Sequence, residues 1–133
     1  MEYKKSYFGL IIWLILFLAA CFGVLLLPVT GMFMMRLTIN ICTVGMAILA
    51  WLVYINGYVY WYNGISYEEA RDAGEERRKQ YAYKHLRAFS IFAVAGLLFS
   101  GLMHLLHVGE WVDSVVLTIG LMAVAISTIR FKL

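Results

Sequence analysis

Residues 64–87 read GISYEEARDAGEERRKQYAYKHLR, and the rest of the chain is organised around this stretch. It holds five of the eight acidic residues and six of the eleven basic ones. On either side the chain is almost free of charge, and only Arg36 interrupts the run from Lys5 to Glu68. One water-exposed island between long apolar blocks is the pattern of a membrane protein. Soluble domains are about 45–50% apolar and about 25% charged; here the figures are 63% and 14%. A hydrocarbon core of roughly 30 Å takes about 20 helical residues. Four stretches qualify, at 7–27, 37–62, 88–107 and 114–129, the last being short at 16 residues. Backbone polar groups in lipid must be paired within the chain, so these spans are expected to be helices. The alternation of apolar and polar residues that a β-barrel needs is not visible. The expected fold is all-α: a single transmembrane domain over 1–133, built as an integral membrane four-helix bundle. A cytoplasmic interfacial helix within 64–87 is expected between helices two and three.

The 133 residues carry a net charge of +3, but its distribution points to topology rather than to nucleic acid. Threading the chain through the four spans puts Lys4, Lys5, Arg130, Lys132 and every basic residue of the island on one side, with Arg36 alone opposite. Under the positive-inside rule both termini and the island face the cytoplasm. Cys21 and Cys42 lie inside apolar runs and read as small packing residues rather than a disulfide. The N-terminal apolar run is too long for a signal peptide and lacks a small-residue cleavage site, so it reads as a retained helix.

Within the spans, Ala19-x-x-x-Gly23 and Gly96-x-x-x-Ser100 have the spacing that allows two helices to approach closely. Helix four is rich in small residues, among them Gly120, Ala123, Ala125 and Ser127. If helix two runs to residue 62, Tyr54, Tyr58 and Tyr62 stack along one face. That face is either an aromatic belt at the interface or a groove for a quinone, a lipid or an aromatic ligand. Asn63-Gly64 is expected to end the helix, since both tolerate positive φ. Ser66 and Glu69 have the form of a capping box, starting a new helix at Tyr67 that continues past Gly74. Its acidic residues come first and its basic residues later, in accord with the helix dipole.

Near the outer end of helix three the sequence reads His104-x-x-His107-x-x-Glu110-x-x-Asp113. On a continuous helix His104, His107 and Glu110 would offer ligands to zinc or another transition metal. Alternatively the two histidines are interfacial side chains and Asp113 or Ser114 caps the next helix. Haem is disfavoured, because the remaining histidine, His85, lies at the opposite face, and no cofactor is expected. No Asp, Glu, Lys or Arg falls deep within a predicted span, whereas ion-coupled transporters and proton relays usually keep one there. Small multidrug exporters would need a carboxylate in helix one, and the signatures of small fluoride channels are absent. No nucleophile elbow, P-loop or zinc-protease motif is present. Asn40 and Asn56, the most polar groups at membrane depth, read as interhelical hydrogen-bond partners.

The segment WYNGISYEEARDAGEERRKQYAYKHL, about a fifth of the chain, resembles part of certain small uncharacterised bacterial membrane proteins. In those an Asn-Gly or Asn-Thr turn leads into a Ser-x-Glu-Glu helix start and a charged helix. The group is distantly similar to bacteriocin-immunity-type membrane proteins. The resemblance implies a bacterial plasma membrane and a protective or accessory role, and it transfers no catalytic residue.

The expected function is a non-enzymatic accessory, regulatory or immunity-type subunit that binds another membrane protein. Arg77, Arg78 and Lys79, with Tyr54 and Tyr58, would form its docking surface. The alternative is a small transporter or channel acting as a homo-oligomer, with Asn40, Thr43 and Asn56 lining a polar path.

Overall fold

A computed structural model describes residues 2–62 and 64–133 of the chain, and every regular element in it is helical. Four α-helices follow in order: α1 Phe8–Gly23, α2 Gly31–Asn56, α3 Tyr67–Leu105 and α4 Glu110–Thr128. Short 3-10 turns at Val24–Leu26 and Val59–Trp61 follow α1 and α2. All four helices, α1 counted together with its 3-10 extension, are long and apolar enough to cross a membrane.

Helix two is displaced toward the N-terminus relative to the expected 37–62. Thr30 sets its start, because its hydroxyl oxygen accepts the Phe33 N–H at 3.2 Å and satisfies a free donor of the first turn. The helix therefore begins at Gly31 rather than Leu37 and carries Arg36 inside it. At the other end Gly57 adopts φ 72° and returns its N–H to Val53 O at 2.8 Å, the left-handed stop that glycine permits. Tyr58 and Tyr62 lie beyond that stop, so Tyr54, Tyr58 and Tyr62 do not share a helical face. Asn63, expected to help end the helix, lies outside the described residues, while Gly64 does turn at φ 90°.

The island starts as expected. Ser66 Oγ accepts the Glu69 N–H at 3.1 Å and the Glu69 carboxylate accepts the Ser66 N–H at 2.8 Å, completing a capping box. The helix started here feeds straight into the next: α3 carries the island and the following apolar stretch in one element, broken at Gly74 (φ 83°, ψ 165°). Residues 67–73 form a short arm and 75–105 a long one. The break leaves carbonyls of the short arm without helical donors. Arg78 compensates from the next turn, donating to Ala70 O at 2.9 Å, while its guanidinium lies 3.9 Å from the centre of the Tyr3 ring.

The buried apolar core sits at this island end, around Val53, Val59, Tyr60, Ala70, Tyr81 and Ala82. The N-terminal segment is part of it. Tyr3 stacks on Tyr67 with centroids 5.5 Å apart, donates to Gly57 O at 2.7 Å, and accepts the Tyr67 hydroxyl at its own carbonyl. Burial pushes the Tyr3 hydroxyl up to about 12, keeping it a neutral donor. Phe131, near the C-terminus, packs edge-on to His85 at 5.1 Å, so both chain ends lie on the island side of the bundle.

Toward the other end, α2, α3 and α4 pack against one another, and α1 packs mainly on α2. Glycines permit the closest approaches. A Cβ at Gly120 would stand 2.7 Å from the Phe92 ring, one at Gly96 would meet Leu117 at 3.0 Å, and one at Gly45 would meet Phe17 of α1 at 2.7 Å. The Gly96/Ser100 spacing thus marks a real contact face. A Cβ added at Gly23 would meet nothing within 4 Å, so the Ala19/Gly23 pair marks none. Helix four runs 19 residues, not 16, because Gly109 rather than Asp113 or Ser114 is its N-cap.

Overpacking a tight core contact is destabilising by about 1–3 kcal/mol. Gly120→Val is therefore expected to lower stability in detergent unfolding by that amount, while Gly23→Ala leaves it unchanged. Equal stability of the two variants would show that the α3–α4 crossing is not close-packed at Gly120.

Candidate functional site

Two polar centres lie at opposite ends of the bundle. The first is built on Arg36, in the second turn of α2, and Asp113, in the first turn of α4. Arg36 Nε donates to Asp113 Oδ2 at 2.9 Å and its NH2 group donates to Oδ1 at 2.9 Å, a bidentate pair. Both are enclosed, with 4% and 0% of their surfaces exposed. Arg36 also donates to Val108 O at 3.1 Å and lies 3.3 Å from His104 Nδ1. A guanidinium only donates, so that imidazole nitrogen is the acceptor and the His104 proton sits on Nε2. Ser100 Oγ donates to Asp113 Oδ2 at 2.6 Å, and Asn40 Nδ2 donates to Ser100 Oγ and to Arg36 O, each at 2.8 Å.

This network joins α2, α3, the 106–109 turn and α4 through one guanidinium. Both Asp113 oxygens are engaged, so the carboxylate is not free to act as a base or to bind an ion. Asn40 Oδ1 is the one network atom buried without a partner among the described residues. Sequence reasoning misses the pair because Asp113 reads as a helix cap and Arg36 as a loop residue. The available signal is a single arginine amid apolar sequence, which must either reach water or find a carboxylate at the same end.

The three expected metal ligands are not brought together. Helix three stops at Leu105, His107 turns to φ 55°, and Gly109 starts a new helix, so the three-residue spacing no longer means a shared face. His104 faces Arg36, and no group of three His, Cys, Asp or Glu side chains able to hold a metal is found among the described residues. Nor do the polar groups of α2 line a common path. Thr43 is 1% exposed with its hydroxyl on Asn40 O at 2.9 Å, and Asn56 donates to Leu52 O at 2.9 Å at the far end of α2.

The second centre is a cavity of about 980 Å³ at the island end, between the short and long arms of α3 and the end of α4. His85 stands at its centre, 3% exposed, with its ring stacked on Tyr62 at 4.2 Å and 15°. Its Nδ1 meets Tyr81 O at 3.1 Å, and since a carbonyl only accepts, Nδ1 carries the proton and Nε2 is left as an acceptor. The Tyr62 hydroxyl is buried with no partner among the described residues, and burial holds its pKa well above the usual tyrosine value.

Of the expected docking residues, Arg77 and Lys79 are exposed, and Arg77 also lines the cavity. Arg78 is turned inward between Tyr3 and the short arm. Tyr54 is half-buried against Tyr83, with centroids 6.1 Å apart, and Tyr58 belongs to the aromatic core with Tyr3, Tyr60 and Trp61. No protein-family model matches this chain, and no curated protein or solved structure matches it either.

Removing one partner of a buried ion pair is destabilising by about 3–5 kcal/mol, whereas replacing both with apolar groups is often near neutral. Arg36→Met and Asp113→Leu are each expected to fall in that range, with the double variant regaining most of the loss, in denaturant unfolding of the detergent-solubilised protein. Single losses below about 1 kcal/mol, the range of an exposed pair, would mean that the network does not hold the bundle.

Proposed function

We propose that this chain is a non-enzymatic accessory subunit of a bacterial plasma membrane, of regulatory or immunity type, that acts by binding another membrane protein. The observation that carries this reading is the closure of the Arg36–Asp113 network. Arg36 and Asp113 are engaged with each other, so neither is free to serve as the coupling group that transporters keep within the membrane. That weighs against the transporter reading, whose Asn40, Thr43 and Asn56 donate to Ser100, Asn40 O and Leu52 O rather than into a shared path.

What remains free is the island. Lys79 projects from the long arm of α3 one turn before Tyr83, which is 53% exposed, and Arg77 is exposed on the cavity side of the same arm. Cations next to a half-open aromatic surface suit a partner whose cytoplasmic edge is acidic, since charge complementarity steers encounter and register. In this reading both termini and the island face the cytoplasm, following the positive-inside distribution. The resemblance of residues 61–86 to small bacterial membrane proteins similar to the immunity type supports the same role.

The test is affinity purification in mild detergent from the native host, with the Arg77→Glu/Lys79→Glu chain in parallel. A second membrane protein at stoichiometric yield, at least tenfold depleted by the charge reversal while the variant melts as the parent does, is the expected result. Recovery of this chain alone would overturn the reading. Arg78 is left unaltered, because its contacts with Ala70 and Tyr3 belong to the fold.

A further inference from the structure

The cavity around His85 shares Arg77 with the docking surface, but its other lining groups have an order of chemistry that the docking role does not use. Along the long arm of α3, Phe89, His85, Tyr81 and Arg77 follow at four-residue intervals and all line it. At 1.5 Å per residue this row covers about 18 Å along the helix. Its sequence is apolar, then neutral hydrogen-bonding groups, then a cation. The end of α4 repeats the order, with Ala125 and Ile129 followed by Lys132. The short arm of α3, set off by the break at Gly74, adds Glu68 and Asp72 to the lining, both exposed. Glu69 lines the rim too, but its carboxylate is held by the Ser66 N–H.

From the apolar end of this row outward, a ligand would thus meet apolar walls, neutral polar rings, and then a charged lining of two cations and two carboxylates. Those are the groups of a phospholipid with an amine headgroup: acyl chains, glycerol esters, and a headgroup of phosphate and ammonium. We infer that this cavity binds one phospholipid whose headgroup joins a phosphate to a primary ammonium, as in phosphatidylethanolamine. Arg77 and Lys132 take the phosphate, and Glu68 and Asp72 take the ammonium. The ion pair between Asp72 and Arg71 is no obstacle, since both side chains are more than half exposed and such pairs are weak. A soluble zwitterion would leave Ala125 and Ile129 facing water, and an anionic lipid would meet the rim carboxylates with like charge. The volume lies at the upper end of the roughly 300–1,000 Å³ of small-molecule sites, suited to a headgroup and the upper part of its chains.

The inference concerns the purified chain alone and is tested without any protein partner. The chain is reconstituted in nanodiscs of equal phosphatidylethanolamine and phosphatidylglycerol, extracted into a delipidating detergent, and examined by native mass spectrometry. One retained phosphatidylethanolamine per chain, at least tenfold over phosphatidylglycerol, is expected. Arg77→Gln/Lys132→Gln should reduce retention of either lipid about tenfold. Glu68→Gln/Asp72→Asn should erase the preference while lipid is still retained. All four side chains lie at the water-facing rim, and thermal melts matching the parent confirm that the fold persists. Equal retention of the two lipids by the parent, a preference for phosphatidylglycerol, or a preference that survives Glu68→Gln/Asp72→Asn would overturn the assignment.

Discussion

A guanidinium enclosed by apolar helices is the constraint on which the far end of this molecule depends. An isolated buried charge is too unfavourable to persist, so Arg36 requires a carboxylate, and the geometry of that demand propagates. Asp113 must point inward from the first turn of α4, which is why Gly109, not Asp113, caps that helix. Ser100 then supplies the remaining donor to the carboxylate from α3, and Asn40 supplies one to Ser100. In lipid there is no hydrophobic drive between helices, so packing and interhelical hydrogen bonds determine which helices associate. The three helices that this network joins are the three that pack together.

Helix one illustrates the contrast. None of its residues is buried, and its polar tie to the bundle is Trp13 Nε1 donating to Gly45 O at 3.1 Å. Its position is otherwise set from the island end, where Ser6 exchanges hydrogen bonds with the Tyr60 hydroxyl and accepts from Trp61. The chain therefore has a polar clamp at one end and an aromatic clamp at the other. Helix one hangs from the second of these and leans on Gly45. Arg78 links that aromatic clamp to the short arm of α3, since its guanidinium lies over the Tyr3 ring and donates to Ala70 O.

Much of this is legible in the chain itself, and the reason is local chemistry. Long apolar blocks admit only helices in lipid, the Ser66/Glu69 box starts α3 wherever it is placed, and Gly64 needs no distant contact to turn. The Gly96/Ser100 spacing is a property of one helix and is readable as such. The errors have a common origin in partners far away along the chain. Sequence alone starts helix two too late, because a lone Arg36 looks as if it needs water. It also extends that helix too far, because Tyr58 and Tyr62 continue the four-residue spacing while Gly57 is the stop. The His104, His107 and Glu110 spacing suggests a site only on a continuous helix.

The sequence by itself determined the helical class, the number of long apolar helices, the charged island and the capping chemistry at its start, because these depend on composition and on residues within a few positions of one another. Tertiary structure alone decided that Arg36 and Asp113, 77 positions apart, form one closed pair, that Arg78 is internal while its neighbours are free, and that His85 and Tyr62 wall a cavity with the end of α4. Those outcomes depend on which faces of distant helices meet, and a charge or ring has no preferred partner until the backbone brings one within a few ångströms.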